Sequence, residues 1–138
     1  MNSILLIDDD PDTRQLLGEF LTQEGFEVHT AGDGREALLL LEKMPAPTLI
    51  LLDYIMPEMN GTQFLAIKRR NPGLRPIPVV VLSAWTRGWI GTRLGVDAVL
   101  TKPVDLDKLA HVVSRICGMT HGHVEHRRAP RHHERVAI

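Results

Sequence analysis

A single cysteine, Cys117, stands in the 138-residue chain, so neither an intramolecular disulfide nor a cysteine-based zinc finger can form. No apolar run approaches the roughly 20 residues needed to span a bilayer. The start, Met1-Asn2-Ser3, carries no basic segment ahead of its first apolar run, so the expectation is a cytoplasmic chain without a signal peptide. An excess of one charge is missing too: 16 Lys+Arg stand against 17 Asp+Glu, which leaves no whole-chain basic field for nucleic acid. What is present is 43% apolar content, enough for the core of one ordinary domain.

The balanced charge hides a division. Residues 1–118 hold 12 Lys+Arg and 15 Asp+Glu, whereas residues 119–138 hold four Arg, two Glu and five of the seven His. The expected organisation is a domain over 1–118 and a basic, His/Arg-rich flexible tail or linker over 119–138. Within the tail, Arg127, Arg131 and Arg135 repeat an R-x-x-x-R spacing that faintly resembles the arginine motif opening cyclic-di-GMP-binding PilZ domains. The barrel that would complete such a site is absent, and the reading kept is linker or coincidence.

Along the body, short apolar runs alternate with amphipathic stretches. Strands are predicted over 3–7, 26–30, 48–52, 79–82 and 98–101. Helices are predicted over 11–24, 35–44, 61–70 and 105–117. The first has Pro11 in its opening turn, a stripe of Leu16, Leu17, Phe20 and Leu21, and Gly25 as its stop. The third has Phe64, Leu65 and Ile67. The last has Leu106, Leu109, Ala110, Val113, Ile116 and Cys117 at helical spacing, which makes Cys117 a core residue. Asp10 and Asp12 flank Pro11 as capping residues. Four consecutive leucines, Leu38 to Leu41, force one outward, and Leu39 is that one. His29 and His111 are read as surface side chains. Residues 84–94 carry Gly88 and Gly91, each costing about 1 kcal/mol in a helix, so a short or irregular helix is expected there. Such alternation implies an α/β fold with a doubly wound five-stranded parallel sheet and helices on both faces.

In a fold of this kind the working site lies beyond the carboxyl ends of the strands. Those ends read Asp8-Asp9-Asp10, Asp53, Ser83 and Lys102-Pro103. Carboxylates crowded together repel one another and recruit a cation, and an oxygen-rich pocket suits Mg²⁺. A metal and a lysine would neutralise an incoming phosphoryl group, a hydroxyl would donate to it, and a carboxylate could accept it as an aspartyl phosphate. The residue types point to phosphoryl transfer onto a carboxylate.

Four segments in order carry a family resemblance: Ile4-Leu-Leu-Ile-Asp-Asp-Asp10, Leu51-Leu-Asp-Tyr-Ile-Met-Pro-Glu-Met-Asn-Gly61, Val80-Val-Leu-Ser-Ala84 and Leu100-Thr-Lys-Pro103. Over about residues 3–117 the chain resembles the receiver domain of two-component response regulators. The resemblance implies the flavodoxin-like strand order 2-1-3-4-5. It implies Asp53 as phosphoacceptor and Mg²⁺ as cofactor, held by Asp8, Asp9, Asp53 and the backbone carbonyl of Ile55. Ser83, with Ala84 beside it, matches the switch hydroxyl; Lys102 matches the family's lysine; and Pro103 matches a proline commonly held in a cis peptide. A histidine kinase or phosphotransfer protein would be the donor, and a downstream protein the target. The domain would be a monomer or a phosphorylation-dependent dimer, with no DNA-binding or membrane element in this chain. It would signal without being an enzyme, beyond self-phosphorylation and slow loss of the group.

Three features depart from the family pattern. The residue three before the lysine, normally aromatic, is Val99, which cannot swing as a ring does. The 19 positions from Ser83 to Lys102 fall short of the usual spacing, and Trp85 and Trp89 lie within them. Bulky apolar Ile55 and Trp85 stand where the family tunes attack by water, so slow autodephosphorylation is expected. Two other readings compete. One is a degenerate receiver acting as a phosphorylation-independent interaction module. The other is an aspartate-nucleophile phosphatase, suggested by Asp8-x-Asp10 but lacking the threonine that family places where Asp12 stands.

Overall fold

The computed structural model describes residues 2–53, 61–83 and 96–121. Ile55, Ala84, Trp85, Trp89, the expected irregular helix over 84–94 and the tail from 122 onward lie outside the described residues. The elements are β1 (Ser3–Ile7), α1 (Pro11–Gln23), β2 (Glu27–Ala31), α2 (Gly34–Lys43), β3 (Leu49–Asp53), α3 (Gly61–Arg70), β4 (Val79–Ser83), β5 (Ala98–Thr101) and α4 (Leu106–His121). The five strands form one sheet in the order β2-β1-β3-β4-β5. Every pairing is parallel. The doubly wound 2-1-3-4-5 sheet is therefore the observed fold, with its topological switch point between β1 and β3.

Strand pleating divides the core in two. Ile4, Leu6, Leu49, Leu51, Val80 and Leu82 face one side, where Leu17 and Leu21 of α1 and Leu109, Val113 and Cys117 of α4 cover them. Leu5, Ile7, Ile50, Leu52, Val79 and Val81 face the other, beneath Ala37 and Leu41 of α2 and Phe64 and Leu65 of α3. A strand buried on both faces needs an uninterrupted apolar run, which is what β3 and β4 supply.

Local signals set the helix ends. Asp10 caps α1, with Oδ1 accepting the Asp12 N–H at 3.3 Å and Oδ2 accepting the Thr13 hydroxyl at 2.6 Å. Gly25, at φ 102°, lets the chain turn directly into β2. Asp33 caps α2 by accepting the Glu36 N–H at 2.8 Å.

Several side chains fall differently from the sequence pattern. Leu16 is 42% exposed, because α1 buries a narrow stripe centred on Leu17 and Leu21. Ile67 is also exposed, and α3 turns Lys68 inward beside Phe64 and Leu65. In α4, Val112 is buried while Ala110 is only half-buried. That helix runs on to His121, because Gly118 continues the helix and Gly25 is the one described glycine with positive φ. Leu39 faces solvent, as the four-leucine run requires. No helix among the described residues is long and apolar enough to cross a membrane.

Candidate functional site

Sheet register gathers the polar strand ends. Ile7 of β1 pairs with Leu52 of β3, so the next residues, Asp8 and Asp53, are neighbours across the switch point. Asp53 pairs with Leu82, which sets Ser83 one step further on β4. Ser83 in turn pairs with Thr101, and Lys102 follows. Asp53 continues the pleat of Leu49 and Leu51, whereas Ser83 continues that of Val79 and Val81. The Asp53 carboxylate and the Ser83 hydroxyl therefore enter the strand ends from opposite faces.

Asp8 and Asp53 are buried and Asp9 is exposed, and one carboxylate oxygen from each lies within 4.8 Å of the others. Lys102 Nζ stands 3.3 Å from Asp53 Oδ1 and 3.9 Å from Asp8 Oδ2. The backbone N–H of Lys102 donates to Ser83 O at 2.8 Å, and the Lys102–Pro103 peptide is cis. Ser83 is buried at the end of β4. Val99, in the middle of β5, packs half-buried against the apolar cluster under α2 and α3.

Asp8 is pinned on three sides. Its N–H donates to Ala31 O at 3.1 Å, its Oδ1 accepts the Asp10 N–H at 2.9 Å, and its carbonyl accepts from an Arg14 guanidinium nitrogen at 2.7 Å. The remaining oxygen, Oδ2, is buried and has no hydrogen-bond partner among the described residues.

The electrostatics follow from crowding. Burial, reinforced by the neighbouring Asp8 charge and opposed by Lys102, pushes the Asp53 carboxyl up to about 6. Burial likewise raises Asp8, against the Asp10 N–H and Lys102. One ammonium cannot neutralise three carboxylates. An oxygen-only donor set with excess negative charge and a buried, orphaned oxygen fits a hard divalent cation such as Mg²⁺.

Sequence reading brought Asp8, Asp9, Asp53, Ser83 and Lys102 to these strand ends, and the fold gathers them there. It missed Arg14, whose one signal is a basic residue in the second turn of a helix that opens beside an acidic cluster. It also missed Lys68, on the inward stripe of α3 with Phe64 and Leu65. At the far end of the sheet from the carboxylates, Lys68 Nζ donates to Arg75 O at 2.9 Å, while Asp97 accepts the Val79 N–H at 2.8 Å.

Fold and pocket together define a flavodoxin-like α/β domain with an acidic, lysine-countered centre at its switch point. The family model described as the response regulator receiver domain matches residues 4–114, and the chain belongs to that family. Its members are signalling domains. The response regulator Rre1 of Synechocystis sp. is 38% identical over 120 residues, which cover 83% of this chain and 51% of Rre1. Among solved structures, the chemotaxis protein CheY4 of Vibrio cholerae superposes with a TM-score of 0.78 at 31% identity, covering 84% of this chain and 98% of its own. The response regulator TrrA of Thermotoga maritima, solved in complex with Mg²⁺-BeF, superposes with a TM-score of 0.74 at 30% identity, covering 84% and 99%. The chain thus spans about half of Rre1 and nearly all of the two solved receivers.

Proposed function

We propose that Asp53 is the phosphoacceptor of a cytoplasmic signalling domain, taking a phosphoryl group from the phosphohistidine of a histidine kinase or phosphotransfer protein. The observation that carries this reading is the buried Asp53 carboxylate, 3.3 Å from Lys102 Nζ and grouped with Asp8 and Asp9.

An Asp53 oxygen attacks phosphorus, and the phosphorus–nitrogen bond to the donor imidazole breaks with its electron pair leaving on nitrogen. Lys102 accompanies the negative charge as it moves onto the phosphoryl oxygens. Asp8, Asp9, Asp53 and the Ile55 carbonyl would hold Mg²⁺. Bound there, the ion would supply positive charge to the transferring group and would favour the ionised form of Asp53. The product brings about −2 charge beside Asp8 and Asp9. Ser83, at the tip of the next strand, donates its hydroxyl to a phosphoryl oxygen. The surface around β5 and α4 then changes its affinity for a downstream protein. Val99 is aliphatic and packed, so no ring reorients at its position and the response runs through Ser83 and the backbone.

The test is an intact mass after incubation with Mg²⁺ and acetyl phosphate or phosphoramidate, beside Asp53→Asn. One added phosphoryl group in the wild type alone supports the reading, and its slow decay supports shielding by Ile55 and Trp85. If no adduct forms and beryllofluoride also fails to bind, the acceptor reading is wrong and a phosphorylation-independent interaction module takes its place.

A further inference from the structure

We propose that Arg14 is a positioning residue for the cation pocket, fixing the peptide that carries two of its three carboxylates. The inference rests on reading Asp8, Asp9 and Asp53 as a divalent-cation site.

The guanidinium of Arg14 reaches back from α1 and donates to the Asp8 carbonyl at 2.7 Å, the length of a strong charge-assisted hydrogen bond. That carbonyl belongs to the Asp8–Asp9 peptide. A peptide is planar and trans, so anchoring its C=O also sets the direction of the Asp9 N–H and the course of the chain into Asp9. Asp8 is already held by its N–H on Ala31 O and its Oδ1 on the Asp10 N–H. Asp9 is exposed and sits in the loop between β1 and α1, where the sheet ladder no longer holds the backbone. Arg14 supplies the constraint there.

The arginine is itself confined. A β-carbon on Gly32 would lie 3.3 Å from Arg14 Nη1 and 3.4 Å from Glu36 Oε1, and that Glu36 oxygen accepts the Gly32 N–H at 2.7 Å. The loop between β2 and α2 therefore closes against the guanidinium, and glycine at 32 leaves it room. The acidic pocket is tied through Arg14 to a loop that contributes no carboxylate to it.

Two roles for Arg14 predict opposite signs. As a mere nearby positive charge it would repel a cation, and its removal would tighten Mg²⁺ binding. As a positioning residue, its removal loosens Asp9 and weakens binding. Loss of a group that orients metal ligands typically costs 10- to 100-fold in affinity, so about tenfold weaker binding is expected for Arg14→Met.

The experiment is calorimetric titration of the full chain with Mg²⁺, for wild type and Arg14→Met, each checked for cooperative thermal unfolding. Weaker binding by the folded variant upholds the proposal; equal or tighter binding overturns it. If Arg14→Met does not fold, Gly32→Ala decides by the same criterion, since it keeps every charge and crowds the guanidinium. If the wild type itself binds no Mg²⁺, the cation-site reading fails, and this inference with it. Mg²⁺ binding by the wild type with equal or tighter binding by the variant is the failure of this inference alone.

Discussion

Removing the Asp53 charge should make the metal-free protein more stable. In an unfolded chain this carboxyl titrates near 3.8; folded, it is pushed up to about 6, first by burial and then by Asp8. Below about pH 3.8 the group is protonated in both states and costs nothing. As pH rises from about 4 through about 6, the unfolded chain releases its proton first, and stability is lost across that window. At about 1.4 kcal/mol per pH unit, the gap corresponds to about 3 kcal/mol at neutral pH. Asp53 is only 7% exposed, so solvent screening removes little of this. Asp53→Asn keeps the shape and removes the charge, and Asp8 is relieved of a repelling neighbour. Urea unfolding of both proteins in chelator, from pH 4 to 7.5, should give nearly equal stabilities at the acid end and an advantage for the asparagine variant that grows toward neutrality. Mg²⁺ should close the gap, because it stabilises the protein with three carboxylates more than the one with two. Equal stability at pH 7 in chelator, or a difference independent of pH, would refute the account of a pocket strained by its own charge.

Other expectations concern single side chains. Lys102→Ala takes away the cation 3.3 Å from Asp53, so the Asp53 carboxyl should titrate above about 6 by NMR, and the mass gain from a small phosphodonor should disappear. Lys68→Met leaves the Arg75 carbonyl without its 2.9 Å donor and should cost about 1–3 kcal/mol in urea unfolding without weakening Mg²⁺ binding; a loss of Mg²⁺ affinity would contradict the separation of the two ends of the sheet. Cys117 is buried and its thiol is pushed up to about 11 by burial, so a thiol-reactive chromophore should label it only at the rate of unfolding; rapid labelling of the native protein would show that the inner face of α4 is open.

Much of the fold was legible because doubly wound sheets write themselves plainly. β1, α3 and β5 have the bounds expected from apolar runs punctuated by Pro and Gly. The largest boundary shift, at the end of α4, came where the cue was a glycine whose conformation cannot be read from its identity. Gly25 does end α1, whereas Gly118 lies inside α4. Burial shifted where a stripe was assumed wider than the contact, as at Leu16. The carboxylates, Ser83 and Lys102 were legible because each directly ends or follows a strand, and parallel register carries strand ends to one edge. Arg14 and Lys68 were not. Their partners are backbone carbonyls, and a carbonyl leaves no mark in the sequence for a side chain to be matched against.

Burial of β3 on both faces has a consequence for how such a protein can diversify. All five of its residues are shut in, and β4 beside it is the same. A change of one methylene in that interior is felt by helices on both sides. Heritable variation in what this domain recognises must therefore accumulate on the outward faces of its helices and in the loops beyond the strand tips. The strands that carry Asp53 and Ser83, by contrast, have almost no freedom to drift.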